Sequence, residues 1–112
     1  MTSEVLIILT NMPDLHIAKT LANQIVTAKV AACVNILAPC QSFYLWENKL
    51  EDATEIPLLI KTTKSAYPTL EKMIQEIHPY ELPEIIALPI TQGEPHYLQW
   101  VTKMCQPAID FI

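Results

Sequence analysis

Val5 to Leu9 is an unbroken apolar run and predicts a central strand buried on both faces. Asn11, Pro13 and Asp14 follow with helix-start chemistry: a capping side chain, a fixed φ, and an anion near the positive end of the helix dipole. Leu15, Ala18, Leu21, Ala22, Ile25 and Val26 then recur at helical spacing, which predicts a helix reaching Ala28. Two extended stretches come next, Ala31 to Trp46 and Leu50 to Thr62, with Glu47-Asn48-Lys49 as the turn and Asn48 suited to the left-handed conformation. Ser65 is the expected cap of a second helix, with Pro68 in its first turn and Leu70, Met73, Ile74 and Ile77 on one face. Ile85 to Ile90 predicts a last strand. Gly93-Glu94-Pro95 then opens a third helix, with Tyr97, Leu98, Val101 and Met104 as its packing stripe. The order is βαββαβ plus a C-terminal helix, an α+β chain of the ferredoxin-like split-βαβ arrangement, expected as one domain over residues 1–112.

The middle hairpin is too long for that domain. A strand of about fifteen residues at roughly 3.3 Å each is about 50 Å long. A domain of this size has a radius of gyration near ~13 Å and a width on the order of 35 Å. Part of the hairpin must bend or project, and its far end carries Phe43, Tyr44, Leu45 and Trp46. Leaving those in water costs roughly 25 cal/mol per Å² of apolar surface. Pairing with another subunit removes both the greasy tip and the open strand edges, so an oligomer is expected; a hairpin folded back on its own sheet is the alternative. With Asn48 as the turn centre, Trp46 pairs with Leu50, and the same register sets Pro39 opposite Pro57. Neither proline donates to a ladder, which predicts a bend there dividing the hairpin into an intradomain half and an intersubunit half.

Residues 78 to 84, His-Pro-Tyr-Glu-Leu-Pro-Glu, form a second distinctive stretch. Its two prolines fix φ and force the residues before them into extended geometry, so the segment cannot be helix. It is a stiff connector that holds an imidazole, a phenol and two carboxylates close together.

Composition narrows the function. Hydrophobic residues make up 51% and charged residues 17%, which places the chain among globular proteins. The net charge is −5 and every basic side chain is a lysine; nucleic acid is a poor partner for such a chain. A single glycine, Gly93, excludes a phosphate-cradling P-loop or a dinucleotide fingerprint. No apolar run is long enough to span a bilayer, the N-terminus lacks a basic signal-peptide start, and Cys33, Cys40 and Cys105 are odd in number. A cytoplasmic protein with free thiols, and no membrane partner, is the expectation.

The blocks Ala31-Ala32-Cys33-Val34-Asn35, Ser42 to Leu50 (Ser-Phe-Tyr-Leu-Trp-Glu-Asn-Lys-Leu) and Leu59-Ile60-Lys61-Thr62 resemble the CutA divalent-ion tolerance proteins. His78 to Ile85, Pro89-Ile90, Gly93 and Tyr97-Leu98-Gln99-Trp100 continue the resemblance over nearly the whole chain. It implies a ferredoxin-like subunit in a tight homotrimer with shared strands, a cytoplasmic role in tolerance of divalent metals, copper above all, and no established catalytic reaction. It also implies copper ligation by a cysteine at the end of the first strand and by a histidine pair before Pro-Tyr. Here those positions read Thr10 and Ile77-His78, so the thiolate is missing and one imidazole remains.

His78 with Glu81 or Glu84 is the candidate metal set, for Cu(II) or another divalent cation, since imidazole and carboxylate suit borderline ions. The plainer alternative is that the prolines aim His78 into a hydrogen bond. Cys33 in an apolar strand reads as a small hydrophobe, and Cys40 beside Pro39 as the more accessible thiol. Glu55, Lys61, Tyr80, His78 and Glu84 form the expected intersubunit cleft, while Phe43, Tyr44, Trp46 and Trp100 are expected at the trimer interface. A metal-tolerance homotrimer is the leading reading. A trimeric small-molecule sensor with ligand clefts between subunits is the alternative. An acylphosphatase-like hydrolase lacks its guanidinium, so no enzyme is expected.

Overall fold

The computed structural model describes residues 4–106. Strand β1 (Val5–Met12) is central, flanked on one side by β4 (Lys49–Thr63) and on the other by β5 (Ile85–Pro89), all antiparallel. Outside β4 lie β2 (Cys33–Ile36) and β3 (Cys40–Trp46), end to end along the same long strand. The helices are α1 (Leu15–Thr27), α2 (Tyr67–Ile77) and α3 (Pro95–Met104). The sheet order β2-β4-β1-β5 is that of the expected ferredoxin-like split βαβ.

Even-numbered residues of β1 and β4 face α1 and α2. Leu6, Ile8 and Met12 meet Ile56, Leu58 and Ile60 there, with Ala18, Leu21, Ile25, Leu70 and Ile74 above them. β1 runs three residues past the expected Leu9, because Thr10, Asn11 and Met12 keep pairing with β4. Helix α1 therefore starts on Asp14 alone, whose Oδ1 accepts from the Ile17 N–H at 2.8 Å. It ends with Lys29 at φ 62°, while Lys29 and Val30 donate to the carbonyls of Val26 and Ile25, a Schellman closure without glycine. Ser65 does not take the expected cap position. Ala66 does, its N–H received by the Thr63 hydroxyl at 3.2 Å, and Pro68 sits in the first turn as expected. Glu94 caps α3 through a 2.8 Å bond from the Tyr97 N–H.

The hairpin turn is tighter than expected. Glu47 and Asn48 both take positive φ, 50° and 64°, and Trp46 pairs with Lys49 rather than Leu50. Two left-handed residues match the twist of the strands better than a three-residue turn centred on Asn48. Pro39 is consequently not opposite Pro57. The bend is present all the same: β2 pairs through Ile36↔Leu58 and β3 resumes at Cys40↔Glu55, so three residues on one side face two on the other. That is a β-bulge, with Pro39 inside it and the Pro57 carbonyl accepting from the Leu37 N–H at 2.9 Å.

Beyond the bulge, β3 and the first half of β4 form an arm with no third strand among the described residues. The radius of gyration, 14.9 Å, exceeds the ~13 Å of a compact chain of this length. Odd-numbered residues of β1 and β4 look away from α1 and α2. α3 covers one end of that face, where Val101 and Cys105 pack with Val5. Ile86 and Leu88 of β5, cross-strand from Leu9 and Ile7, stay largely exposed.

Candidate functional site

The connector 78–84 leaves α2 at His78, whose backbone turns extended (φ −72°, ψ 129°) while its N–H still bonds the Ile74 carbonyl at 2.9 Å. Pro79 enforces this stop, because the residue before a proline avoids helical geometry. The imidazole is buried. Tyr80 N–H donates to its Nδ1 at 3.1 Å, which leaves the ring proton on Nε2, and Nε2 donates to the Asn11 carbonyl at 2.6 Å. β5 pairs with β1 only as far as Ile85 opposite Thr10; one residue on, the Asn11 carbonyl meets the imidazole instead of a strand. Of the two readings of His78, the hydrogen-bonding one describes this geometry.

The tyrosine ring follows from that anchor. Its centroid lies 4.7 Å from the imidazole at 54°. Burial raises the Tyr80 phenol above its ordinary 10.0, with the Glu55 charge, Tyr44 and a hydrogen bond to Glu55 adding to the effect. Glu55 stands on β4 opposite Cys40, next to the bulge, and is itself buried. Asn11 donates to Glu84 at 3.4 Å, tying the far end of the connector to β1.

Arm and connector enclose a cleft of about 720 Å³. Phe43, Tyr44 and Trp46 line its arm side, His78, Tyr80, Glu81 and Glu84 its connector side, with Glu55 and Asn11 between. Four carboxylates (Glu51, Glu55, Glu81, Glu84) border it, and no lysine or arginine does. Among the expected residues, Glu55, Tyr80, His78 and Glu84 do come together in one chain. Lys61 does not: it pairs with Cys33 in the β2 ladder and its ammonium donates to Asn35. Trp100 stacks near Tyr97 on α3, ring centroids 5.7 Å apart, and is not part of the cleft. Asn11 and Glu51 are cleft residues that sequence reasoning missed. Asn11 resembles a helix cap locally, and its partner His78 is 67 residues away.

The expected metal set is not assembled. Both His78 nitrogens are engaged by backbone groups. Among the described residues, no group of three or more His, Cys, Asp or Glu side chains stands close enough to hold a metal ion. Thr10, at the thiolate position, is fully buried and its Oγ lacks a hydrogen-bond partner among the described residues. The donors present do not fit a soft copper centre. No helix among the described residues is long and apolar enough to cross a membrane.

An antiparallel split-βαβ sheet with an overlong bulged arm and an acidic, aromatic cleft at its root makes this an α+β protein of the ferredoxin-like kind. The profile of the CutA1 divalent ion tolerance protein family matches residues 6–104, and the chain belongs to that family. The divalent-cation tolerance protein CutA of Thermus thermophilus is 40% identical over 97 residues, covering 87% of this chain and 94% of that one. The solved structure of CutA1 from Oryza sativa superposes with a TM-score of 0.91 at 36% identity, over 96% of this chain and 98% of that one. A structure from Archaeoglobus fulgidus, described as a periplasmic divalent cation tolerance protein, reaches 0.88 at 33% identity, over 91% and 99%. The chain spans about half the length of the mouse and human CutA proteins it matches, 53% and 56%.

Proposed function

We propose that this chain contributes to tolerance of divalent cations as a homotrimer, a single-domain binding protein of the cytoplasm and not an enzyme. One observation carries the assembly. Leu45 and Leu50 are cross-strand partners at the arm, each 71% exposed, beside an open β3 edge and an apolar sheet face that α3 only partly covers. Apolar surface of this kind, on a rigid arm, is what a second and third copy would seal. Free Cys33, Cys40 and Cys105 support a reducing compartment.

Cu(II) or another divalent cation would fall to the carboxylates Glu81 and Glu84 at the cleft, with oxygen donors from a neighbouring copy. Such a set favours hard or borderline ions over soft ones. His78 would join only by giving up the Asn11 carbonyl. Sedimentation tests the assembly: the native protein should run at three times the subunit mass, and Leu45→Asp with Leu50→Asp should run as monomer. A native monomer refutes it. Calorimetry with Cu(II) and Zn(II) tests the ion. Saturable heat lost in Glu81→Gln with Glu84→Gln supports it, and no heat with either ion removes it.

A second reading is favoured by the cleft volume, about 720 Å³, which exceeds what one ion requires and lies within the range for small organic ligands. On that reading the trimer senses a small molecule.

A further inference from the structure

Glu55 is 6% exposed, and the partner it has among the described residues is the neutral phenol of Tyr80. The ion pair of Lys64 with Glu4 and the hydrogen bond between His96 and Glu94 involve other carboxylates at the surface. A buried carboxylate without a counter-charge is costly, and the arrival of a cation offsets that cost. Glu51 lines the same cleft from farther along β4, and Glu81 and Glu84 border it across from the arm. The net charge of −5 draws cations to the molecule as a whole.

Carboxylates alone would suit a metal ion. The walls suit something else. Tyr44, Trp46 and Tyr80 present aromatic surface to the same space, and ring faces attract ammonium groups and bury methylenes, neither of which a bare hydrated ion offers. Acidic groups at several points around an aromatic-walled slot match a flexible chain that carries several positive charges.

We propose that the cleft binds an aliphatic polyamine, with one ammonium on Glu55, others at Glu51, Glu81 and Glu84, and the methylene chain against Tyr44 and Trp46. This rests on the small-molecule reading of the cleft and names the ligand class for it. It does not require metal binding.

The test titrates the purified full chain with spermidine, following heat and tryptophan emission, alongside a neutral diol of equal length and Mg²⁺ at matched ionic strength. Saturable spermidine binding is expected, with an emission change that Trp46→Phe abolishes and an affinity at least tenfold lower in Glu55→Gln. If Glu55→Gln does not fold by circular dichroism, Glu84→Gln at the exposed rim takes its place, with a two- to fivefold loss expected. Unchanged affinity in the folded carboxylate variant overturns the proposal, as does displacement of spermidine by equimolar Mg²⁺. Diol binding without spermidine binding overturns the polyamine and keeps a small-molecule cleft. Binding of neither overturns both.

Discussion

The two halves of strand β4 each take part in an apolar cross-strand pair, and the two pairs meet opposite surroundings. In its second half Ile60 lies across from Ile8, and both are 0% exposed. In its first half Leu50 lies across from Leu45, and both are 71% exposed. Each is an apolar cross-strand pair in one antiparallel sheet. The second half has β1 on one side, β2 on the other and two helices above it, whereas the first half has β3 alone. Strand chemistry is therefore not what seals a pair; what lies above and beside it does. The Leu45–Leu50 pair has its cross-strand contact and, among the described residues, no layer above it.

Truncation at the two ends of β4 separates them most sharply. Ile60→Ala should lower unfolding free energy by about 2–5 kcal/mol through loss of burial and the cavity left behind, read in urea. Leu50→Ala should change secondary structure little and act on assembly, read by sedimentation at low concentration. Equal losses of fold stability in the two variants would abolish the contrast.

His78 joins the regions, since its ring ties the connector beside the arm to the end of β1. His78→Ala strands the Asn11 carbonyl and the Tyr80 N–H, so a loss of about 1–3 kcal/mol is expected, together with faster amide exchange at Tyr80. Wild-type exchange at Tyr80 would mean that the anchor is idle. On the covered side, Thr10→Val should raise stability by about 1 kcal/mol, because it replaces a buried hydroxyl that lacks a partner with an isosteric methyl. A drop in melting temperature would indicate a partner for that hydroxyl.

The smallest effect is one of pH. The Tyr67 phenol is pushed up from 10.0 to about 12 by burial, by its hydrogen bond to Glu71 and by that residue's charge. A raised value means the neutral form is favoured in the fold. The contribution is complete below pH 10.0 and fades as pH climbs through about 12. Tyr67→Phe should flatten that alkaline limb of the stability curve slightly and leave neutral pH nearly untouched.

Much of the fold was legible because it rests on local rules. The apolar periods of α1, α2 and α3, the Asp14 and Glu94 regions as helix starts, and the prolines of 78–84 all act within a few residues of themselves. The errors fall where two segments must be counted against each other. The turn register depended on whether Glu47 would share the left-handed geometry of Asn48, and a charged residue there gives no local sign of it. The site divides the same way. Glu55, His78, Tyr80 and Glu84 were visible as candidates. Lys61 lies apart from them within one chain, since strand parity alone does not reveal that Asn35 of the adjacent strand takes its ammonium. Asn11 joined the cleft through its backbone carbonyl at His78 and its side-chain amide at Glu84, both contacts with residues far away along the chain.

The extra residue between Ile36 and Cys40 makes the direction in which the arm presents itself a matter of arithmetic. Remove Ala38, and Cys40 moves into the place that continues the β2 ladder, so Cys40↔Glu55 and Tyr44↔Glu51 persist and every side chain keeps its face while the bulge disappears. With it would go the kink that aims the arm away from the sheet, without any change in the identity of its side chains. Drift in this lineage can thus swap residues along the arm with modest consequence, but loss of one codon at that spot straightens the ribbon and redirects the whole arm.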